Sequence, residues 1–430
     1  MKPLPALLSL AAFLAMIPRA GAAEPAWKIG EPVVSYWAGP GFPGGVALND
    51  TEAVRLVEGG WNLVWASEKE LAVAERHNLR ALLTDPLLDP SSLDDPKRRE
   101  ALSALVDRVK GQKALYAYHL VDEPAAGAFP AIARLVEFLR ERDPAHLAYI
   151  NVLPIYANNE QFGVPGPIVE AYAEHLRLYM QTVKPGLLSY DHYQLRQTCD
   201  GQEYFPNLAM IRTAAQASGV PFMNIVQACN WVPGSAASPL SPRIPTPDEL
   251  RYLAYTTLAY GAQAISYYVY GYPGHEGAMM RYEGAKGTPT PLYERAKSLN
   301  REFIAIAQEL QPLQSTGVFH AGMLPPPTAE LPADSTVTFD PPIAKIPYHP
   351  GDRVLGFLLG QFAKPGASQA THYVVVNLDY KTESTVGLKG PGTWEIFDPA
   401  TRQWGSSTPA RVELKLPGGS GKLVRLVAPK

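Results

Sequence analysis

The chain has 430 residues, a formal net charge of −3 and 18% charged residues. No long basic run interrupts it, which removes nucleic acid and anionic membrane surfaces as expected partners. The length suits a barrel of roughly 250 to 300 residues followed by a domain of about 100. Two cysteines, Cys199 and Cys229, are too few for a disulfide framework or a CxxC metal knuckle.

In chain order the first feature is a leader. Lys2 precedes an apolar stretch at 4–17, then Pro18, Arg19 and the small residues Ala20, Gly21, Ala22 and Ala23. This pattern predicts a secretory signal peptide cut near Ala22 or Ala23. About 14 apolar residues fall short of the ~20 that a spanning helix needs. The expectation is a secreted protein, periplasmic or extracellular, with no membrane association after cleavage: a signal peptide at 1–23, a barrel at 24–312 and a β domain at 313–430.

From residue 30 onwards, short apolar segments alternate with amphipathic ones. Strands are predicted at 33–37, 61–66, 80–84, 115–121, 148–153, 187–193, 222–227 and 264–270. Helices are predicted at 51–58, 99–110, 128–142, 168–183, 208–218, 247–260 and 292–310, several followed by a breaker such as Gly59, Gly111, Pro185, Gly219 or Gly261. Eight strands alternating with helices predict parallel βαβ units closing into a (β/α)8 TIM barrel. No Gly-rich phosphate fingerprint follows the first strand, which argues against a doubly wound sheet.

After Leu313 the character changes, with Pro325, Pro326 and Pro327 in a turn-rich linker. Strands at 354–359, 371–378, 393–397, 411–416 and 422–427 predict a small antiparallel β-sandwich. Gly418, Gly419 and Gly421 are expected to form its last hairpin turn. Trp394 and Trp404 are expected to pack within it.

The strand ending in Asp122, Glu123 and Pro124 carries most of the functional signal. Proline cannot donate to a ladder and favours extended geometry before it, so Glu123 should leave the sheet at the C-terminal rim, where such barrels do their chemistry. The competing reading is that the two acids merely start a helix. Two neighbours in a regular strand cannot both face inward, so a bulge or an early strand end is expected. The other strand ends add Trp37, Asn151, Asp191, His192, Tyr193, Gln227, Asn230, Tyr270 and Tyr272. Carboxylates, amides and aromatic rings at one mouth suit a carbohydrate substrate, whose CH faces stack on rings and whose hydroxyls need hydrogen bonds.

Glycoside hydrolysis requires a carboxylic acid for the leaving oxygen and a second carboxylate to attack or to activate water. Glu123 is the candidate acid. Asp191 is the leading second group, since strands four and six contribute to the same layer. Their tips should stand roughly 10 Å apart before the side chains lean inward. Both the retaining and the inverting separation therefore remain open.

The segments YHLVDEP, AYINVLP, LLSYDHY, PDELRYLAYTTLAYGAQAISYYVY and TPLYERAKSLNREF resemble bacterial exported glycoside hydrolases related to clan A, including β-galactosidase-like enzymes. The resemblance spans roughly residues 110 to 312. It implies a (β/α)8 barrel with a C-terminal β domain, and Glu123 as acid/base in the place of the glutamate of the Asn-Glu-Pro motif. Two positions depart from that pattern. Asp122 replaces the asparagine, and Gln227, Ala228 and Cys229 stand where the seventh strand would supply the nucleophilic glutamate. Asp191 is then the first substitute, with Glu276, and also Glu283, on the long loop 271–287 as alternatives.

Two other functions compete. A carbohydrate-binding barrel without turnover would explain the missing seventh-strand acid. A metal-dependent hydrolase or deacetylase would need a compact histidine and carboxylate cluster, whereas the nine histidines are scattered, with only His119, His192 and His275 near the mouth. No metal or other cofactor is expected. Arg196 and Arg281 near the mouth are able to recognise a substrate carboxylate, and the oligomeric state is not legible.

Overall fold

The computed structural model describes residues 27–232, 238–405 and 408–428; the leader expectation lies outside them. Eight parallel strands form the expected barrel: β1 (Val33–Trp37), β2 (Leu63–Ala66), β3 (Arg80–Leu83), β4 (Leu115–Asp122), β5 (Leu147–Val152), β6 (Leu188–His192), β7 (Phe222–Gln227) and β8 (Ala264–Tyr268). Ladders run in order from β2 round to β8 and on to β1. The remaining seam, between β1 and β2, closes without a ladder. Asn62 donates its backbone N–H to the Val34 carbonyl (3.1 Å) and accepts the Val34 N–H on its side chain (2.9 Å), and Ser35 Oγ donates to the Leu63 carbonyl (3.1 Å).

The helices are α1 (Asp50–Glu58), α2 (Leu71–Arg76), α3 (Pro96–Val109), α4 (Phe129–Arg142), α5 (Asn159–Phe162), α6 (Ile168–Thr182), α7 (Tyr204–Ser218), α8 (Pro247–Ala259) and α9 (Pro291–Leu310). Local chemistry explains their ends. The Asn49 and Asp95 side chains cap α1 and α3, and Thr246 forms a capping box with Glu249 ahead of Pro247. The short helix α2 had no clear sequence signal, because six residues are too few for a full amphipathic repeat. The loop after β8 also holds an unexpected hairpin, β9 (Met280–Glu283) and β10 (Lys286–Pro289).

The C-terminal part is one antiparallel network that folds over its own core: β11 (Gln314–Gly322), β12 (Thr338–Phe339), β13 (Gly356–Ala363), β14 (His372–Asn377), β15 (Ser384–Asp398), β16 (Gln403–Trp404), β17 (Thr408–Leu416) and β18 (Gly421–Val427). The long β15 makes this possible. Its first half pairs with β17 and β12, its second half with β18, and its register shifts between Lys389 and Thr393. Trp394 is fully buried in the core between them. Trp404 packs on His372, Phe397 and the Arg425 guanidinium. The expected last hairpin is corrected: both β17 and β18 ladder onto β15. The glycines between them serve close packing instead. Gly419 has φ +66°, and a Cβ there would lie 2.6 Å from the Asp248 carbonyl.

This domain seats on α8 of the barrel. A Cβ at Gly360 of β13 would lie 2.2 Å from the Ala259 carbonyl, so the strand and the helix end touch through backbone. At the same seam Arg243 bridges Asp200 (2.9 Å) and Glu249 (2.6 Å), and the Tyr380 hydroxyl donates to Asp200 (3.0 Å). The two cysteines are unpaired, with Cys229 buried. Among the described residues, no helix is long and apolar enough to cross a membrane.

Candidate active site

The tips of β4, β5 and β6 build the centre of the site. In β4 the register against β5 shifts between His119 and Val121, and Glu123 then takes a left-handed conformation, φ +47°. A non-glycine residue with positive φ is uncommon. The bulge and the left-handed turn together let two consecutive acids, Asp122 and Glu123, reach one cleft. The Glu123 N–H is held by the Asn151 carbonyl (2.9 Å).

A polar chain runs through the barrel to these acids. The Tyr149 hydroxyl meets Ser189 Oγ at 2.8 Å, and Ser189 Oγ donates to Asn151 Oδ1 (3.0 Å). That orients the Asn151 amide so that its Nδ2 donates to both Asp122 (3.1 Å) and Asp191 (2.9 Å). Asp191 and Glu123 stand close enough for each to alter the other's ionisation.

The electrostatics agree. Asp191 is 3% exposed, and burial, then the charges of Glu123 and Asp122, push its carboxyl well above the usual range. Burial by the walls also raises Glu123, against the opposing effect of its neighbour Asp191. Asp122, open to solvent on one side, is lifted to about 6 by the walls around it and then by Glu123. The surroundings therefore favour the protonated form of each of the three acids, as general acid chemistry requires.

Aromatic rings wall the acids. On one side Trp37 packs against Trp65 (4.9 Å) and Phe42 (6.2 Å). On the other, Tyr193 stacks near Tyr268 (4.8 Å) and Trp231 (5.1 Å), and the Tyr268 hydroxyl meets His275 Nε2 at 3.1 Å. Tyr156, whose hydroxyl accepts the Tyr193 N–H (3.3 Å), stands at the rim. The cleft has a volume of ≈ 360 Å³, within the usual range for a small ligand.

Of the residues singled out from sequence, Trp37, Asp122, Glu123, Asn151, Asp191 and Tyr193 line this cleft; the others are directed elsewhere. His192 faces away from Asp191, bonds to Asn207 (2.9 Å) and is driven to about 3 by burial. Gln227 is fully buried and spent on loop backbone, accepting from Leu195 N–H (2.8 Å) and donating to the Leu195 (3.0 Å) and Arg243 (2.9 Å) carbonyls. A carboxylate there would lose both donated bonds. Asn230 pairs with Glu276 through backbone and caps Val232 N–H. Glu276 is exposed on its loop and does not line the cleft. Tyr270 is buried between Tyr36 and Trp61, and Tyr272 packs on Phe42.

Sequence reasoning missed Tyr156, Trp231 and Tyr268. Tyr268 was within reach, since it ends β8 and faces the cleft while its alternate neighbour Tyr267 turns to Asn300. Trp231 and Tyr156 lie in loops, where no periodicity reports direction. His119 packs among Trp37, Trp65 and Tyr149 and is driven to about 4 by burial, so it stays neutral. Among the described residues, no group of three or more His, Cys, Asp or Glu side chains is arranged to hold a metal ion.

The fold is that of glycoside hydrolases of known structure. The chain is similar to a glycoside hydrolase family 5 protein from Bacteroides vulgatus ATCC 8482, with a TM-score of 0.53, 10% identity, and 93% of each chain covered. It is also similar to a second protein described as a glycoside hydrolase, with a TM-score of 0.50 and 11% identity over 93% of this chain and 97% of that one. No family model matches the sequence, and no curated protein matches it.

Proposed function

We propose that the protein is an exported glycoside hydrolase that cleaves O-glycosidic bonds in a polysaccharide or its oligosaccharides, with Glu123 as general acid/base and Asp191 as the second carboxyl. The observation that carries this reading is the meeting of Glu123, Asp191 and Asp122 in one aromatic-walled cleft at the C-terminal rim. The barrel and the glycoside hydrolases that share it support the reaction class. The apolar leader at 4–17 and the small residues at 20–23 support export. The barrel and β domain are proposed as the units 24–312 and 313–430.

Turnover of a panel of aryl glycosides and oligosaccharides by the mature protein and by Glu123→Gln tests this, with products identified by mass spectrometry and the first-formed anomer by NMR. Cleavage by the wild type and a loss of at least about a hundredfold in the variant support the assignment. Equal cleavage by both overturns it. The tied-down Gln227 favours one second reading, a sugar-binding barrel without turnover. Binding of an oligosaccharide by a wild type that cleaves nothing would establish that reading.

A further inference from the structure

The acid cluster and its rim differ in charge. Three carboxylates line the cleft together with aromatic, amide and apolar residues, and no lysine, arginine or histidine is among the described lining residues. An anionic unit against Asp122, Glu123 and Asp191 would find no counter-ion among these residues, which favours a neutral sugar there.

Just outside, Arg196 lies over the ring of Tyr156, 5.8 Å from its centroid. Its guanidinium has no ion pair and no hydrogen bond among the described residues. Arg281, the other arginine of the mouth, pairs with Glu283 (3.6 Å) and is 72% exposed. The Arg196 backbone is anchored on both sides. Its N–H donates to the Cys199 carbonyl (3.1 Å), its carbonyl accepts from Arg243, and it bridges Pro242. Tyr156 lies within electrostatic reach of both regions: its hydroxyl is pushed up first by burial and then by Asp191 and Glu123, while Arg196 pulls it down.

A half-buried, rigidly mounted guanidinium without a partner is poised for a ligand anion, and its planar fork suits either a carboxylate or a sulfate. We propose that Arg196 determines specificity, pairing with an anionic group on the sugar unit next to the one held by the three carboxylates. The substrate is then an acidic oligosaccharide cleaved at a neutral unit. This rests on the glycoside hydrolase reading.

The test compares wild type, Arg196→Gln and Arg196→Lys on a neutral aryl glycoside and on neutral, uronate-containing and sulfated oligosaccharides, at about 50 and 500 mM salt. Wild type should prefer one anionic class by about tenfold or more in kcat/KM, and the class preferred identifies the anion. Arg196→Gln should raise KM for that class about tenfold and leave the neutral aryl glycoside unchanged. Arg196→Lys should recover part of the loss, and salt should narrow the preference. Equal use of neutral and anionic oligosaccharides by wild type, or equal losses on both in Arg196→Gln, would overturn the proposal. If nothing is hydrolysed, the hydrolase reading fails. Calorimetric binding of the same oligosaccharides to wild type and Arg196→Gln then decides the role of Arg196 separately, and equal affinities would end it.

Discussion

Two carboxylate clusters in this molecule differ in their partners. At the barrel mouth the exposed Asp122 and Glu123 meet the buried Asp191 with no cation among the described lining residues. At the domain seam Asp200 and Glu249, 9% and 3% exposed, are bridged by Arg243. Burial pushes Asp200 upward too, but the Arg243 charge and hydrogen bond pull against it. Desolvation is common to both places, and the counter-ion separates them. With a guanidinium the acids form an ion-pair network that Tyr380 joins from the β domain; without one the upward push of burial on Asp191 meets no opposing cation.

The sharpest break of this comparison is removal of the proton carrier. Glu123→Gln should lower kcat by about 10²- to 10⁴-fold on any glycoside the wild type cleaves, while circular dichroism and Tm stay close to wild type. Removal of the counter-ion comes next. Arg243→Met strands Asp200 and Glu249 and should cost about 3–5 kcal/mol, a fall in Tm of about 10 °C in scanning calorimetry.

Asp191→Asn should do the reverse to stability while impairing turnover. The folded state holds the Asp191 proton to a higher pH than the unfolded chain does. Its contribution is thus full below the unfolded value near 4 and is lost as pH rises towards the folded one. The variant should exceed wild type in Tm at pH 8, and the two curves should converge towards pH 4. A variant that is less stable at pH 8 would contradict the absence of a counter-ion. Smaller still, Trp231→Ala should raise KM about tenfold, roughly 1.4 kcal/mol, with kcat little changed. The smallest effect expected is that of a chelator, which should leave the initial rate within error of the untreated enzyme.

Much of this architecture was legible. The predicted strands at 33–37 and 222–227 coincide with β1 and β7, and most other elements shift only by a few residues at their ends. The Asp-Glu-Pro terminus announced both the acids and the need for a bulge, which appears as a register shift followed by a left-handed Glu123. The hairpin β9 and β10, the helix α2 and the first half of β15 were not legible, because short or turn-rich segments carry too few residues for a period to emerge. Within the site, β6 gave Asp191 one face and His192 the other, as alternation requires. The same rule was not enough for Gln227, whose amide is claimed by backbone groups of two loops distant in sequence.

The alternation of strands and helices, the position of the strand tips and therefore the set of polar residues gathered at one end of a barrel are all readable from the chain. Those are consequences of local periodicity and of where proline and glycine interrupt it. Which of the gathered residues meet follows from the packing of distant segments. That Asn151 bridges two acids, and that Arg243 is paired while Arg196 has no ion pair among the described residues, depend on distances between segments tens of residues apart. Charge interactions and hydrogen bonds act across such contacts within a few ångströms, and closure of the barrel sets those distances.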